Sequence, residues 1–343
     1  MNITFATYQS LSLLHGGPRV QILQTKNELE KLGVKVSLFQ PWEHYDRRSC
    51  DLVHLFSANL GTFHLASVMN NFNIPFVSSS IFFTEHSPAY IRSILGISKT
   101  LKRFKSGIWT SYDYTQQICN WSKAVLPNTA DEGKLLSDGL GIPFKKISVV
   151  PNGVEARFEF GDPALFKKKY GIENFILNVG HVGPARKNVL QLIRALKEIG
   201  HQAVIIGKVS ETPEGKQCLE EARQAKNILI IDGLENGSEM LASAYAACKV
   251  FALPSLFETP GIAALEAGLA GAKIVITPYG GTREYFGSHA EYVEPRSVES
   301  IKNGIMKALN TQNTSTLREH IKKEFLWSAV AEKTLAVYNQ VLQ

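Results

Sequence analysis

Strand-like apolar runs alternate with helix-period segments over nearly the whole chain, and few architectures accommodate that order. Short strands separated by helices pair in parallel, and a parallel sheet needs helices on both faces. In the first half the strands are expected at 3–7, 35–39, 52–55, 76–80, 124–126 and 147–150. In the second half they are expected at 175–179, 203–206, 228–231, 250–253 and 273–276. A helix over 21–32 closes at Gly33, a residue suited to a left-handed helix end. Between the halves, Pro151-Asn152-Gly153-Val154 forms a turn, followed by a polar stretch to Gly171. A chain of 343 residues is long for one ordinary domain, and this turn is the natural boundary between two. Doubly wound sheets bind ligands at the carboxyl ends of their strands, so a site at the cleft between the halves is expected.

Composition narrows the class of ligand. Lys and Arg number 37 against 31 Asp and Glu, a formal charge of +6. That excess suits an anionic ligand or membrane surface better than nucleic acid, and no nucleic-acid partner is expected. Cys50, Cys119, Cys218 and Cys248 are scattered without metal-ligand spacing and read as reduced core thiols of a cytosolic protein. Met1 to Thr7 reads as a first strand rather than a secretory leader. No apolar run approaches the ~20 residues that span a bilayer, so any membrane contact is expected to be peripheral.

The chemistry concentrates in 254–267, PSLFETPGIAALEA. Glu258 and Glu266 stand on either side of a Pro260-Gly261 step that opens an apolar run. A strand ending near Pro254 and a helix starting near Gly261 put Glu258 in a loop and Glu266 about a turn and a half into the helix. The helix's first N–H groups then face the crevice as an anion site. One carboxylate can accept sugar hydroxyls and the other ribose hydroxyls, leaving phosphates to the helix end. On spacing alone, a solvated surface reading of both glutamates stays open.

Three other segments bear on this choice. Gly16-Gly17-Pro18 follows the first strand and precedes a helix, where paired glycines let backbone approach a phosphate. Residues 180–188, GHVGPARKN, follow the first strand of the second half. There Lys187 offers a point charge and Arg186 a bidentate fork to a diphosphate, with His181 a possible phosphate donor. A solvated basic loop is the other reading. Residues 91–111, IRSILGISKTLKRFKSGIWTS, hold Arg92, Lys99, Lys102, Arg103 and Lys105, no acid, and an aromatic anchor, Trp109. Such a segment suits an anionic membrane surface, at roughly 1 kcal/mol per basic residue, or is a helix with a wet basic face. No Asp-x-Asp pair, Walker loop, Gly-x-Ser-x-Gly elbow or His-Glu-x-x-His occurs, and no metal or cofactor is expected.

Together these residues resemble the retaining glycosyltransferases of family 4. The resemblance covers nearly the whole chain and is strongest in the second half. It rests on the Glu-x7-Glu motif of Glu258 and Glu266, on Leu253-Pro254-Ser255 before it, and on 271–275 (GAKIV) and 280–284 (GGTRE) after it. Val150 to Val154 resembles the family's interdomain segment, and Gly180 to Asn188 its diphosphate loop. The resemblance implies an α/β GT-B architecture, two Rossmann-like doubly wound domains facing across a cleft. Residues 1–160 would bind the acceptor, 161–325 the nucleotide sugar, and 326–343 would form a helix returning to the first domain.

The resemblance further implies transfer of a sugar from a nucleotide-diphosphate donor with retention and without a metal. Lys187, with Arg186, would neutralise the departing diphosphate. Glu258, Thr259, Pro260, Gly261 and Ile262 would hold the donor sugar and phosphate, Glu266 the ribose, and Gly16 and Gly17 would close over the phosphates. The acceptor would be a lipid-linked glycan or glycolipid of a surface polysaccharide, met at the inner membrane face. The pattern also departs from the family's: His181 stands where Arg is frequent, and Ile81 where many members carry a histidine lining the acceptor site. His54 and His86 are the acceptor candidates left. Two readings from other classes compete: a nucleotide-sugar epimerase of the same fold, and a non-enzymatic nucleotide-sugar or membrane binder.

Overall fold

The structure is a computed structural model, and it describes residues 1–13, 16–105, 107–235, 237–312 and 315–343. Its chain contacts divide into two units, Met1–Asn152 with Trp327–Gln343, and Gly153–Leu326. The division falls earlier than residue 160 because Phe158 belongs to the second core. That ring is buried and meets Tyr245 edge-on at 5.4 Å.

In the first unit, β1 (Asn2–Ala6), β2 (Lys35–Leu38), β3 (Leu52–Phe56) and β4 (Phe76–Ser79) form a parallel sheet in the order β2-β1-β3-β4. Ile3 pairs with Val36 on one side and Leu52 on the other, and Val53 pairs with Phe76. Both faces are apolar, as a parallel sheet between helices requires. Phe5, Leu52 and Val77 pack toward helices Gly17–Lys31 and Trp327–Leu342. Val53, Leu55 and Phe76 pack toward helices Pro88–Leu101 and Ser111–Trp121. The expected strands at 124–126 and 147–150 are not full strands. They continue the sheet by single bridges, Ser78 to Val125 and Val125 to Ile147: Pro127 has no N–H to carry the second ladder on, and the Asn128 N–H that would carry the first goes to Glu132. The first helix starts four residues earlier than expected, since Pro18 fits a first helical turn and Gly16 caps it.

In the second unit, β5 (Phe175–Val179), β6 (Ala203–Ile206), β7 (Ile228–Ile231), β8 (Cys248–Leu253), β9 (Lys273–Ile276) and β10 (Ala290–Tyr292) are all parallel. Their order is β10-β9-β8-β5-β6-β7. The three-residue β10 was too short to show in the sequence pattern. Winding runs outward from β5 in one direction and from β8 in the other, so the order reverses between β5 and β8. Helices after β5 and β6 cover one face, and helices after β7 and β8 the other. A topological switch point is where such sheets leave a crevice beyond their carboxyl ends.

Candidate functional site

The loops leaving β5 and β8 meet at that switch point. Asn178 near the end of β5 donates Nδ2 to the Ala252 carbonyl of β8 at 2.7 Å. After β5 the chain makes a short turn, Ala185–Lys187, and reverses at Asn188, whose φ of 55° is left-handed. Asn tolerates that conformation better than most residues. Its amide donates to the carbonyls of Pro254 (2.8 Å) and Pro295 (2.6 Å). Leu256 N–H donates to the Arg186 carbonyl at 2.8 Å, and Arg186 Nη1 to the Phe257 carbonyl at 3.1 Å. The two loops are therefore one hydrogen-bonded unit rather than two solvated segments.

Glu258 lies at its centre, 6% exposed. Its Oε1 receives Lys187 Nζ at 2.7 Å and Ser255 Oγ at 2.7 Å, with Arg186 Nη1 at 3.3 Å. Burial pushes this carboxyl up, but Lys187, Arg186 and the Ser255 hydroxyl outweigh it and hold the group below its ordinary range. Its backbone is fixed too: Glu258 N–H donates to the Tyr279 carbonyl, and Gly281 N–H to the Glu258 carbonyl. A Cβ at Gly280 would collide with that carbonyl, and φ there is 89°, so the close approach needs glycine. Ser255 and Asn188 belong to this cluster as much as the residues expected from the sequence. Ser255 was visible three residues before Glu258.

Beyond Glu258 the chain enters the helix Ile262–Ala270 through Gly261, φ 83°, with no side chain capping the helix start. The first N–H groups of such a helix have no partner within it. Thr259 Oγ1 beside it is buried without a hydrogen-bond partner. Among the described residues this corner thus holds two cations, a buried hydroxyl and an uncapped helix start. It can receive a phosphate-bearing ligand.

Glu266 is buried further along that helix, and Tyr245 Oη donates to its Oε2 at 2.6 Å. Burial raises its carboxyl to about 7, against smaller lowering effects from Tyr245 and Arg157. Neither Tyr245 nor Arg157 was singled out from sequence, because both lie far from the motif in the chain. His181 is exposed on the loop after β5.

In the first unit, Gly16 and Gly17 open the helix after β1, and Gly16 adopts φ 158° with open space where a Cβ would stand. His54 corrects an expectation. It is 1% exposed, with Nδ1 bonded to Tyr338 Oη at 2.5 Å and Nε2 to Ser79 Oγ at 2.9 Å. Burial drives it down to about 3, so the ring is neutral and fully engaged, and no acceptor reaches it. His86 is exposed near Tyr112, whose Oη lies 2.6 Å from its Nδ1.

The basic segment also needs correction. It is not one helix: Pro88–Leu101 ends and the chain turns before Ser111–Trp121. Lys102 pairs with Asp113 at 2.6 Å and lies 3.9 Å from the Trp109 ring centre. Trp109 itself stacks on Tyr114 and leans on Phe63. The acid sits two residues past the segment, on the following helix. Lys99, Arg103 and Lys105 remain exposed, with Ile97, Leu101 and Phe104 beside them.

A parallel sheet with a cationic loop pair at its switch point defines a doubly wound α/β unit with its ligand crevice beyond the strands' carboxyl ends. Comparison with known proteins makes that class specific. The family model described as glycosyl transferases group 1 matches residues 164–324, and that of glycosyltransferase family 4 matches residues 38–158. The D-inositol 3-phosphate glycosyltransferase of Geodermatophilus obscurus is 27% identical over 243 residues, covering 65% of this chain and 54% of that protein. The serotype-specific mannosyltransferase WbdA of Escherichia coli is 26% identical over 190 residues, 52% of this chain and 23% of that protein. The chain spans about half, or less, of the length of these curated relatives. Anabaena HepE, solved with UDP and glucose, superposes with a TM-score of 0.70 at 16% identity, covering 99% of this chain and all of that one. The chain belongs to the family 4 glycosyltransferases of GT-B fold.

Proposed function

We propose that the protein transfers a sugar from a nucleoside-diphosphate donor to a hydroxyl of a glycan acceptor, with retention and without a metal ion. The observation that carries this reading is the buried carboxylate of Glu258, gathering Lys187, Arg186 and Ser255 at the switch point. Glu258 holds both cations in place while no anion is bound. A diphosphate arriving at the helix start meets Lys187 as a point charge and Arg186 as a fork, with the amides after Gly261 and the Thr259 hydroxyl beside them. Glu266, whose Oε2 receives the Tyr245 hydroxyl, holds the ribose hydroxyls. HepE, a protein of the same fold, was solved with UDP and glucose, which supports a nucleotide-sugar donor.

In the reaction, the bond from the anomeric carbon to the diphosphate oxygen breaks while one to the acceptor oxygen forms on the same face. The acceptor proton passes to the departing phosphate oxygen. Negative charge grows on the diphosphate, and Lys187 and Arg186 stabilise it more in the transition state than in the ground state. Those two cations take the place a divalent metal would otherwise fill.

The first unit holds the acceptor near His86. The name serotype-specific mannosyltransferase carried by WbdA supports a surface glycan as product, and the exposed patch of Lys99, Arg103, Lys105, Ile97 and Phe104 supports a lipid-linked acceptor met at an anionic membrane. No helix among the described residues is long and apolar enough to cross a membrane. The test is incubation with UDP-, GDP-, ADP- and dTDP-sugars in EDTA, with and without a lipid-linked oligosaccharide. Transfer with the donor's anomeric configuration in the product supports the reading. An isomerised nucleotide sugar with donor alone would mark an epimerase instead.

A further inference from the structure

Two adjacent strands of the first unit end in left-handed residues that are not glycine: Ser57 after β3 at φ 74°, and Ile81 after β4 at φ 46°. A β-branched residue there is a genuine outlier and persists only where its surroundings impose it. The imposing group is Glu132, in the short helix Ala130–Lys134 and 3% exposed. Its Oε1 accepts both Ser80 Oγ and, at 2.8 Å, the Phe82 N–H, the two neighbours of Ile81. Its Oε2 accepts the Asn128 N–H at 2.8 Å. Asn128 Oδ1 in turn receives Gln21 Nε2 from the helix that Gly16 and Gly17 open, at 3.1 Å.

One buried carboxylate therefore ties together the loop after β4, the turn at 127–129 and the first helix, all at the carboxyl end of the sheet. The loop it shapes runs on to Thr84 and His86, which share the Tyr112 hydroxyl at 3.1 and 2.6 Å. We propose that Glu132 is a positioning residue for the acceptor: by receiving the groups on either side of Ile81 it holds that residue left-handed and so sets the 81–86 loop against the acceptor sugar. This rests on the reading above that the first unit binds the acceptor. Removing the carboxylate takes away the acceptor of Ser80 Oγ, the Phe82 N–H and the Asn128 N–H and releases the Ile81 backbone toward its ordinary regions. Glycine at 81 adopts φ 46° freely, so it makes the clamp unnecessary.

The experiment compares Glu132→Ala, Glu132→Gln, Ile81→Gly and the Glu132→Ala/Ile81→Gly double variant. It reads amide hydrogen exchange and, with the donor found in the screen above and a lipid-linked oligosaccharide, steady-state kinetics. Glu132→Ala should raise exchange at 82–86 at least tenfold and acceptor KM at least tenfold, with donor KM unchanged. Glu132→Gln retains an oxygen for Ser80 and Phe82 and should stay within about threefold of the parent on both. The double variant should exchange within about threefold of Ile81→Gly alone. If Glu132→Ala does not fold, Ser80→Ala, which withdraws one of the flanking donors, should raise the same exchange at least threefold. Unchanged exchange at 82–86, or a rise spread evenly over the unit, overturns the positioning role. Raised exchange with unchanged acceptor KM overturns instead the placement of the acceptor beside this loop.

Discussion

Lys187 Nζ lies 2.7 Å from Glu258 Oε1, although 71 residues separate them in the chain. The contact exists because β5 and β8 are neighbours at the point where the sheet order reverses, so the loops leaving them are adjacent. A cation paired with a buried carboxylate is held in place without ligand, and a diphosphate can then draw it across with little reorganisation.

Replacing Lys187 by Ala removes that charge but leaves Arg186 and Ser255 to satisfy Glu258. Transfer should fall by two decades or more, about 3 kcal/mol of transition-state stabilisation, while the protein stays folded. Steady-state kinetics with circular dichroism check this; an unchanged rate would refute the role.

Glu266 should make stability depend on pH near neutrality. Its folded value of about 7 lies above the ordinary 4.5, so the folded chain binds the extra proton between these values. Stability should therefore fall as pH rises from about 4.5 through 7 and level off above, by at most roughly 1.4 kcal/mol per pH unit. Glu266→Gln carries no charge and should lose that slope. Urea unfolding of both proteins from pH 5 to 8 shows it; parallel curves would rule it out. Glu258 has the opposite sign, since its lowered value adds stability above its ordinary range that fades on acidification.

Gly280→Ala should destabilise the second unit by roughly 1–3 kcal/mol and weaken donor binding, because the new methyl meets the Glu258 carbonyl at a positive φ. Denaturant unfolding and nucleotide titration read the two effects. A neutral substitution would mean the loop after Ser255 is free to move.

Tyr338→Phe should cost about 1–3 kcal/mol by leaving Nδ1 of the neutral, buried His54 without its partner. The same change should not alter donor affinity, since His54 and Tyr338 lie in the first unit's core. Loss of donor binding would contradict that placement.

The corrected membrane patch separates two kinds of lysine. Replacing Lys99, Arg103 and Lys105 by Gln should release the protein from anionic liposomes without loss of stability. Replacing Lys102 should instead destabilise the fold, since Asp113 loses its paired cation and keeps only the Ser98 and Thr110 donors. Co-sedimentation unaffected by the triple change would remove the membrane from the account.

The alternation of strands and helices was legible because a buried parallel strand is a plain apolar run, and nine of the ten strands were found so. β10 was not, since three residues leave no periodic trace, and the expected strands at 124–126 and 147–150 proved to be single bridges, because an apolar run does not show how far its ladder extends. The Glu258 motif and the basic loop were legible as types of residue at strand ends. Their pairing was not, because strand order is a long-range property. Tyr245 beside Glu266, Ser79 and Tyr338 around His54, and Asp113 beside Lys102 were hidden for the same reason: each partner lies on another element. Burial then reversed the meaning of His54, whose residue type suggests a ligand contact and whose surroundings make it core.

The most direct test of the central claim is isothermal titration of UDP, GDP, ADP and dTDP into the parent protein, Lys187→Ala and Glu258→Gln. At least one diphosphate should bind the parent, and Lys187→Ala should bind it at least tenfold more weakly, about 1.4 kcal/mol or more. Binding of none of the four, or equal affinity in Lys187→Ala, would contradict a donor site at the switch point.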